Sequence, residues 1–590
     1  MSFSSKKFPH VALEADFCVV GGGMAGLVAS IAAARHGVSV VLMHDRPVLG
    51  GNASSECRIH ICGADRHNQI PNMRETGILE EIRLENLRCN PNRNYSVWDL
   101  VLYDMVQRTK NLKILLNCSC IDAVMNNDLI KSVSGWQTTT QTHYTVRAKI
   151  FADCSGDSVL ATLTGAKHRM GREGRNETGE TIAPKKADSG TMGMTCLFQA
   201  RNFGTPQTFE SPEWAYKYLR DEDLPYGGRG HSHGGWWGLG YWWVELGGMH
   251  HAIHDTELMR RELLKIVLGV WDHIKNQGDH GAESWGLEWL QFLPGKRESR
   301  RYIGDYVLTQ QDIEQGGNFA DTVAYGGWTM DDHHPAGFEA VKIGAPPTIF
   351  HLAPSPYGIP YRSLYSCNVG NLMFAGRNVS VTHVALSSTR VMGTCISMAQ
   401  AMGTAVAMAV NHSLTPREIS VHISELQQTL LLDDCYLPRI PQKFSLLTTE
   451  AKLKVSNSVD PEPVRDGWNR PIGDVSHAWT AQLGDSIAYL FDKPSHLTEV
   501  RLLLDTAMDK DLALSLHYKD HGMTHIPEET PRKFRIDVMQ DGEWNEFRLM
   551  DNNYQRQVCI FVGKVVEGVR YTLIETYGAK SSRVYGFFVR

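Results

Sequence analysis

Three stretches carry residue types whose spacing suits chemistry. Gly326-Gly327-Trp328-Thr329-Met330-Asp331-Asp332-His333-His334-Pro335 sets paired carboxylates beside paired imidazoles. An imidazole titrates near neutrality and a carboxylate orients it, so the stretch offers a base and its partner, or else a surface turn. His333 is the stronger candidate, because Pro335 restricts the backbone of His334. Pro294-Gly295-Lys296-Arg297-Glu298-Ser299-Arg300-Arg301 gathers four cations around one glutamate. Such a run is either a solvated face or a place where Arg300 or Arg301 holds a developing oxyanion. Val19-Val20-Gly21-Gly22-Gly23-Met24-Ala25-Gly26 follows an apolar strand and opens an alanine-rich helix. There Gly21 permits a tight turn, Gly23 lets backbone approach a pyrophosphate, and Gly26 lets helix and sheet pack closely. That pattern reads as a dinucleotide site.

The elements that must position these groups follow from periodicity. Asp16 to Val20 is a buried strand, Leu27 to His36 a helix, and Val38 to Met43 a second strand. A dinucleotide fold places an acid for the adenosine ribose after that strand. The count falls on His44, with Asp45 next, and either can accept a ribose hydroxyl. Arg46 then leads to a second glycine pair in Leu49-Gly50-Gly51-Asn52-Ala53-Ser54. A helix is expected over 97–110, then strands at Lys113 to Val124, Leu129 to Thr138 and His143 to Ala152. The last runs into Asp153-Cys154-Ser155-Gly156-Asp157, where Asp157 either bonds a ribose or ribityl hydroxyl or caps a turn. Much later, Phe374-Ala375-Gly376-Arg377-Asn378 is a strand into a glycine turn. Thr389-Arg390-Val391-Met392-Gly393 then opens a helix running to about Val410, with His383 in the loop before it.

The glycine motif, the Gly50-Gly51 loop, the Asp153 to Asp157 turn and the Ala375 to Thr394 segment occur in the order found in FAD-dependent oxidoreductases. Over roughly residues 14–440 the chain resembles that family, related to the fumarate reductase and succinate dehydrogenase flavoproteins. The resemblance implies FAD, held noncovalently, on Gly21, Gly23, Met24, Ala25, Gly26, His44, Asp45, Arg46, Gly50, Gly51, Asn52, Ala53, Ser155, Gly156, Asp157, Gly376, Arg377, Arg390, Val391 and Met392. It also implies that the helix opening near Met392 faces the pyrimidine edge of the flavin. No histidine stands where those reductases bear a covalent flavin link. His60, in Cys57-Arg58-Ile59-His60-Ile61-Cys62, lies further on and would face the ring, with Arg58 beside it. The dicarboxylate-binding pattern is missing, so the substrate does not carry over.

Residues 166–364 read as an inserted substrate domain. Trp236, Trp237, Trp242, Trp243, Trp271, Trp285, Trp289 and Trp328 concentrate there with His231, His233, His250, His251 and His254. Indole faces suit sugar rings, although most such residues serve as core. His250 and His254 have metal-ligand spacing if helical, but no third ligand is evident and no metal is expected. Beyond a helical linker at 413–454, short alternating strands at Ser486 to Phe491, Thr498 to Leu504, Leu512 to Tyr518, Lys533 to Val538, Gln557 to Val562, Tyr571 to Glu575 and Val584 to Val589 argue a β-sandwich over 455–590. Asp466-Gly467-Trp468, Tyr489 to Leu504 and Val584 to Val589 resemble a discoidin-like, galactose-binding jelly roll.

The fold class expected is therefore α/β: an FAD-binding Rossmann-type domain from 1–165 and 365–412, an α+β insert, and an all-β C-terminal module. With 590 residues and a net charge of −6, without a long basic run, neither nucleic acid nor an anionic membrane is the expected partner. No apolar stretch of about twenty residues and no leader organisation is evident, so the expected location is cytoplasmic. Self-association into a homo-oligomer and the electron acceptor stay open. The function expected is hydride exchange between flavin and a small-molecule or oligosaccharide substrate, foremost oxidation of a secondary alcohol of a carbohydrate or polyol. His333 and His383 are candidate bases, His60 and Arg58 position the substrate, and Arg300 or Arg301 holds the oxyanion. Three alternatives remain: glycan cleavage through transient oxidation and elimination, reduction of an activated double bond, and a sugar-binding protein that keeps FAD only structurally.

Overall fold

The computed structural model describes residues 8–224, 237, 244–277, 280–512 and 522–590. Trp236, Trp242, Trp243, His231 and His233 lie outside the described residues, as does most of the strand expected at Leu512 to Tyr518. The chain forms two compact units, one of residues 1–63 with 95–423 and one of 64–94 with 424–590.

The first unit is built on β1 (His10–Val20), α1 (Met24–Arg35), β2 (Val40–Met43), α2 (Tyr95–Arg108), β3 (Leu112–Leu115), β4 (Cys118–Asn126), β5 (Leu129–Gln137), β6 (Thr142–Asp153), β7 (Leu372–Phe374), α3 (His383–Thr389) and α4 (Met392–His412). Its sheet runs β3-β2-β1-β6-β5-β4, with β7 also on β6. β6 divides its free edge: Thr142 to Arg147 pair antiparallel with β5, and Phe151 to Asp153 pair parallel with β7. The burial pattern changes at the same place. β1 alternates in its first half, then Cys18, Val19 and Val20 are all buried, as a strand covered on both faces requires. The single strand expected at Lys113 to Val124 is two, because Asn117 takes a left-handed backbone with φ 53° and ends the parallel strand there.

α1 and α4 pack on this sheet through small residues. A Cβ on Gly403 would lie 2.3 Å from the Ala29 carbonyl oxygen, so the approach requires glycine. Contrary to the expectation that no long apolar segment occurs, α4 is long and apolar enough to cross a membrane by length and composition, with 89% of its apolar window buried inside the protein. Its hydropathy is that of a core helix. The described residues of the insert include short two- and three-stranded ribbons, a few one-turn helices and the long helix Thr256–Asp272. His250 and His254 precede that helix in a turn, so their spacing does not place them on one helical face.

The second unit is an antiparallel β-sandwich whose sheet has seven strands among the described residues. Two strands expected as four are continuous: Ser486–Leu504 and Gln557–Thr576. Their register breaks between Leu490 and Ser495, so each strand serves both halves of one core that includes Trp479, Tyr489, Phe534, Tyr571 and Phe587. Residues 64–94 belong to this unit. Leu84 and Leu87, on the helix Ile78–Cys89, pack with Ile526. Arg74 is fully buried, pairs with Glu80 at 2.8 Å, and donates to the carbonyls of Thr506 and Ala507.

Candidate active site

Two glycine loops meet at the C-terminal ends of β1 and β2. Gly21 has φ 103°, and a Cβ there would lie 2.4 Å from Ser155 N. A Cβ on Gly26 would fall 1.8 Å from the Gly21 carbonyl oxygen. Both positions therefore require glycine for the turn itself. Gly23 differs: its added Cβ meets nothing nearer than Gly51 Cα at 3.9 Å. The backbone there lines a cradle that a side chain would fill. Gly50 N donates to the Gly22 carbonyl at 3.0 Å, which joins the second loop to the first. The N-terminus of α1 carries neither a side-chain cap nor an acid in its first turn, leaving its N–H groups for an anion.

Of the two residues expected at the ribose, His44 is committed elsewhere. Its Nδ1 accepts from Gly22 N at 2.9 Å and its Nε2 lies 3.0 Å from the Val48 carbonyl, which only a protonated Nε2 can satisfy. Burial lowers its pKa and keeps that neutral tautomer. His44 thus latches the glycine loop, while the Asp45 side chain beside it is half exposed.

Asp153 is wholly buried and organises the return turn, accepting from Ser155 N, Leu160 N and the Tyr302 hydroxyl. Asp157 pairs with Arg377 at 2.6 Å and Lys296 at 2.6 Å and accepts from Ser299 at 2.8 Å. Burial opposes its charge, but the two cations hold its carboxyl far below the usual range. Lys296 ties this group to the Gly50–Gly51 loop, since Asn52 Nδ2 donates to its carbonyl at 3.3 Å. α4 also begins without a side-chain cap at Val391. Gly393 N donates to the Cys62 carbonyl at 2.8 Å, so the stretch carrying Arg58 and half-buried His60 runs against the first turn of α4.

Met330–His333 is a strand, so successive side chains point to opposite faces. Asp331 and His333 share one face. His333 Nδ1 lies 2.6 Å from Glu245, a buried carboxylate, and Nε2 lies 3.2 Å from Asp331. Asp331 also accepts from Thr348 at 2.8 Å and pairs with Arg390 at 3.2 Å, and Arg297 lies 3.4 Å from Glu245. Asp332, on the other face, lies 3.2 Å from His383 Nε2, and His383 Nδ1 lies 2.8 Å from Glu298. Burial disfavours both imidazolium ions, yet the carboxylates win. His333 is raised above the ordinary imidazole range and His383 is pushed up to about 9.

This arrangement corrects two roles. His383 has both ring nitrogens on carboxylates, as His333 does, but its side chain is 2% exposed against 13% for His333, so it is a buried cation with no open face for a substrate and not a base. Arg301, expected at an oxyanion, is 1% exposed and spends its donors on Val381 O, Gly171 O, Glu173 and Glu298. It holds the acids together and is itself sealed from solvent. Arg300 keeps only a 3.4 Å contact to the Asp157 carbonyl among the described hydrogen bonds of its guanidinium. His334 closes a turn by accepting from Ala336 N at 3.1 Å.

Arg58 lies with its guanidinium 4.5 Å from the Trp289 ring and 5.2 Å from Tyr95, and donates to Gln199 at 2.7 Å. Trp237 and Trp271 are fully buried in the insert core and offer no face to a sugar. Trp289 is only partly buried, with Arg58 against its ring. Sequence reasoning missed Glu245, a lone acid in an apolar stretch. Only the fold reveals it, by pairing Glu245–Leu246 with Met194–Thr195 and so setting it beside His333.

A mixed, mainly parallel sheet with paired glycine loops over an uncapped helix N-terminus, beside a buried array of acids and cations, is the arrangement of a dinucleotide-dependent oxidoreductase. The family model described as FAD dependent oxidoreductase matches residues 16–430, and the chain belongs to that family. FAD is thereby its cofactor, and the open backbone at Gly23 and the free N–H groups of α1 fit it. Solved structures with similar folds include p-nitrophenol 4-monooxygenase PnpA from Pseudomonas putida DLL-E4, at 14% identity over 72% of this chain and 84% of that one, TM-score 0.29. OxyS anhydrotetracycline hydroxylase from Streptomyces rimosus matches at 10% identity over 70% and 66%, TM-score 0.31. The family 32 carbohydrate-binding module of Streptococcus pneumoniae EndoD matches at 15% identity over 25% of this chain and 99% of its own, TM-score 0.20. No curated protein matches the sequence.

Proposed function

We propose that the protein oxidises a secondary alcohol of a carbohydrate or polyol, with FAD held noncovalently and His333 taking the hydroxyl proton. The observation that carries this reading is the placement of His333 between Glu245 and Asp331, with Asp331 tied to Arg390 just before α4. The Glu245 contact is the short one, and it orients the ring through Nδ1. Asp331 keeps Thr348 and Arg390 as partners, so Nε2 can exchange Asp331 for a substrate hydroxyl. When bound, FAD supplies the acceptor for the hydride that leaves the carbinol carbon. Asn52, Lys296, Arg377 and Asp157 surround the loops that would hold it, and Asp45 would take the ribose. Arg58 and Trp289 present an aromatic face with a cation, which suits a sugar ring bearing hydroxyl or carboxylate groups.

The test is the visible spectrum of purified protein before and after acid precipitation, followed by anaerobic mixing with a panel of sugars and polyols. The reading expects flavin absorbance that leaves with the supernatant, bleaching by at least one polyol, and bleaching slowed in H333Q. Flavin that stays unbleached with the whole panel would overturn it. A second reading, reduction of an activated double bond, is favoured by the raised pKa of His333, since an imidazolium can donate the proton that such a reduction needs. Reoxidation of the reduced protein by an activated alkene, with no bleaching by alcohols, would select that reading.

A further inference from the structure

The geometry points to a zinc site built from Asp221, His273 and His280, independent of the proposed reaction. The three residues come from two places in the insert. Asp221 opens the short turn Asp221–Asp223, His273 follows directly on the helix Thr256–Asp272, and His280 lies seven residues beyond it. Their ligand atoms converge: His273 Nε2 is 3.1 Å from Asp221 Oδ1 and 3.2 Å from His280 Nε2, and His280 Nε2 is 4.0 Å from Asp221 Oδ1.

Chemistry, beyond proximity, argues for a cation. His273 is 1% exposed, and its Nδ1 lies 2.9 Å from the Tyr218 carbonyl. A carbonyl only accepts, so Nδ1 carries a proton, and in the neutral tautomer a lone pair at Nε2 faces the other two groups. With His280 Nε2 unprotonated as well, a divalent ion placed among the three atoms takes one bond from each. Tetrahedral zinc, with bonds of about 2.0–2.1 Å to nitrogen and oxygen, separates neighbouring ligand atoms by roughly 3.3 Å, which matches two of the three edges. Two imidazoles and one carboxylate suit zinc. The backbone supports the placement. The helix does not end in ordinary geometry but widens to i→i+5 bonding over His273–Gln277, an irregularity frequent at functional sites. A water at the exposed side of Asp221 would complete four ligands. The ion would clamp the 210–224 loop to the end of the long helix, where Lys217 already pairs with Asp272 at 2.9 Å.

Full-length protein without a polyhistidine tag would be stripped with a chelator, dialysed, and titrated with ZnCl2 by calorimetry. One equivalent is expected to bind, with X-ray absorption showing a shell of nitrogen and oxygen neighbours at about 2.0–2.1 Å and a rise in Tm on loading. D221N, at an exposed position, should keep the fold and flavin spectrum and weaken zinc at least tenfold. H280Q should do the same. Failure of the stripped protein to bind zinc overturns the site, as does binding whose affinity is unchanged in both D221N and H280Q. The alternative that would then stand is an imidazolium at His273 bonded to Asp221.

Discussion

His383 Nδ1 lies 2.8 Å from Glu298 Oε2, inside the first unit and out of reach of solvent. The pairing fixes a sign for stability against pH. His383 is pushed up to about 9 in the folded protein, against about 6.5 unfolded. Its contribution is complete below the unfolded value and is lost as pH rises through the folded one. Its upper bound is roughly 3 kcal/mol. Thermal melts between pH 6 and 10 should show wild-type protein losing Tm across that window, while H383Q starts lower and lacks the slope. Parallel curves for the two proteins would remove His383 from the account.

The three glycines of the first loop are expected to separate folding from cofactor binding. Gly26→Ala drives a Cβ to 1.8 Å from the Gly21 carbonyl and should prevent the loop from forming. Gly23→Ala meets no protein atom closer than 3.9 Å, so the apoprotein should melt as wild type does. The new methyl group instead occupies the space where backbone must approach pyrophosphate. FAD affinity should fall by about tenfold or more, equivalent to roughly 1.4 kcal/mol, as read by fluorescence titration of apoprotein. A G23A variant with unchanged affinity would place the cofactor elsewhere.

That contrast shows why the cofactor half of the site was legible and the proton-transfer half only partly so. Gly21, Gly23 and Gly26 act through backbone geometry over a few adjacent residues, and local spacing records it. Asp331, Asp332 and His333 were visible as a cluster, but the strand that separates their faces was not. The His333 partner was not visible, because Glu245 arrives from a distant ribbon of the insert. Glu298 was visible only as a neighbour of the arginines; that it also meets His383, and that Glu173 meets Arg301, comes from non-local packing, so His383 and Arg301 read as available groups. The same blindness to non-local packing hid the membership of 64–94 in the β-sandwich unit, since Arg74 and Glu80 become a buried pair only beside Thr506 and Ala507.

Arg301 holds Glu298 and Glu173 together in a space where none of the three is more than 5% exposed. Replacing it with methionine keeps the volume and removes the charge, leaving two buried carboxylates without their shared cation. Breaking one side of a buried pair in this way costs about 3–5 kcal/mol, and urea denaturation of R301M should show a loss of that order. R301K, which restores charge but not the four-way donor geometry, should recover only part of it. A loss below about 1 kcal/mol would place the pair among weak surface bridges instead.

The orienting role of Glu245 has its own readout. Burial works against the charge on His333, but Glu245 and Asp331 raise its pKa above the ordinary imidazole value. Alcohol oxidation needs the neutral ring, so the rate of anaerobic flavin bleaching should climb with pH and level off above that raised value. Glu245→Gln removes one of the two anions and keeps the side-chain shape. The inflection should then move to lower pH, and the plateau rate should fall because the ring loses its orienting carboxylate at Nδ1. H333Q should flatten the profile and slow bleaching by about 10²–10⁴-fold, the range of a lost acid–base group. Both variants should keep the oxidised flavin spectrum. An inflection that stays in place in E245Q would assign the titrating group to a residue other than His333.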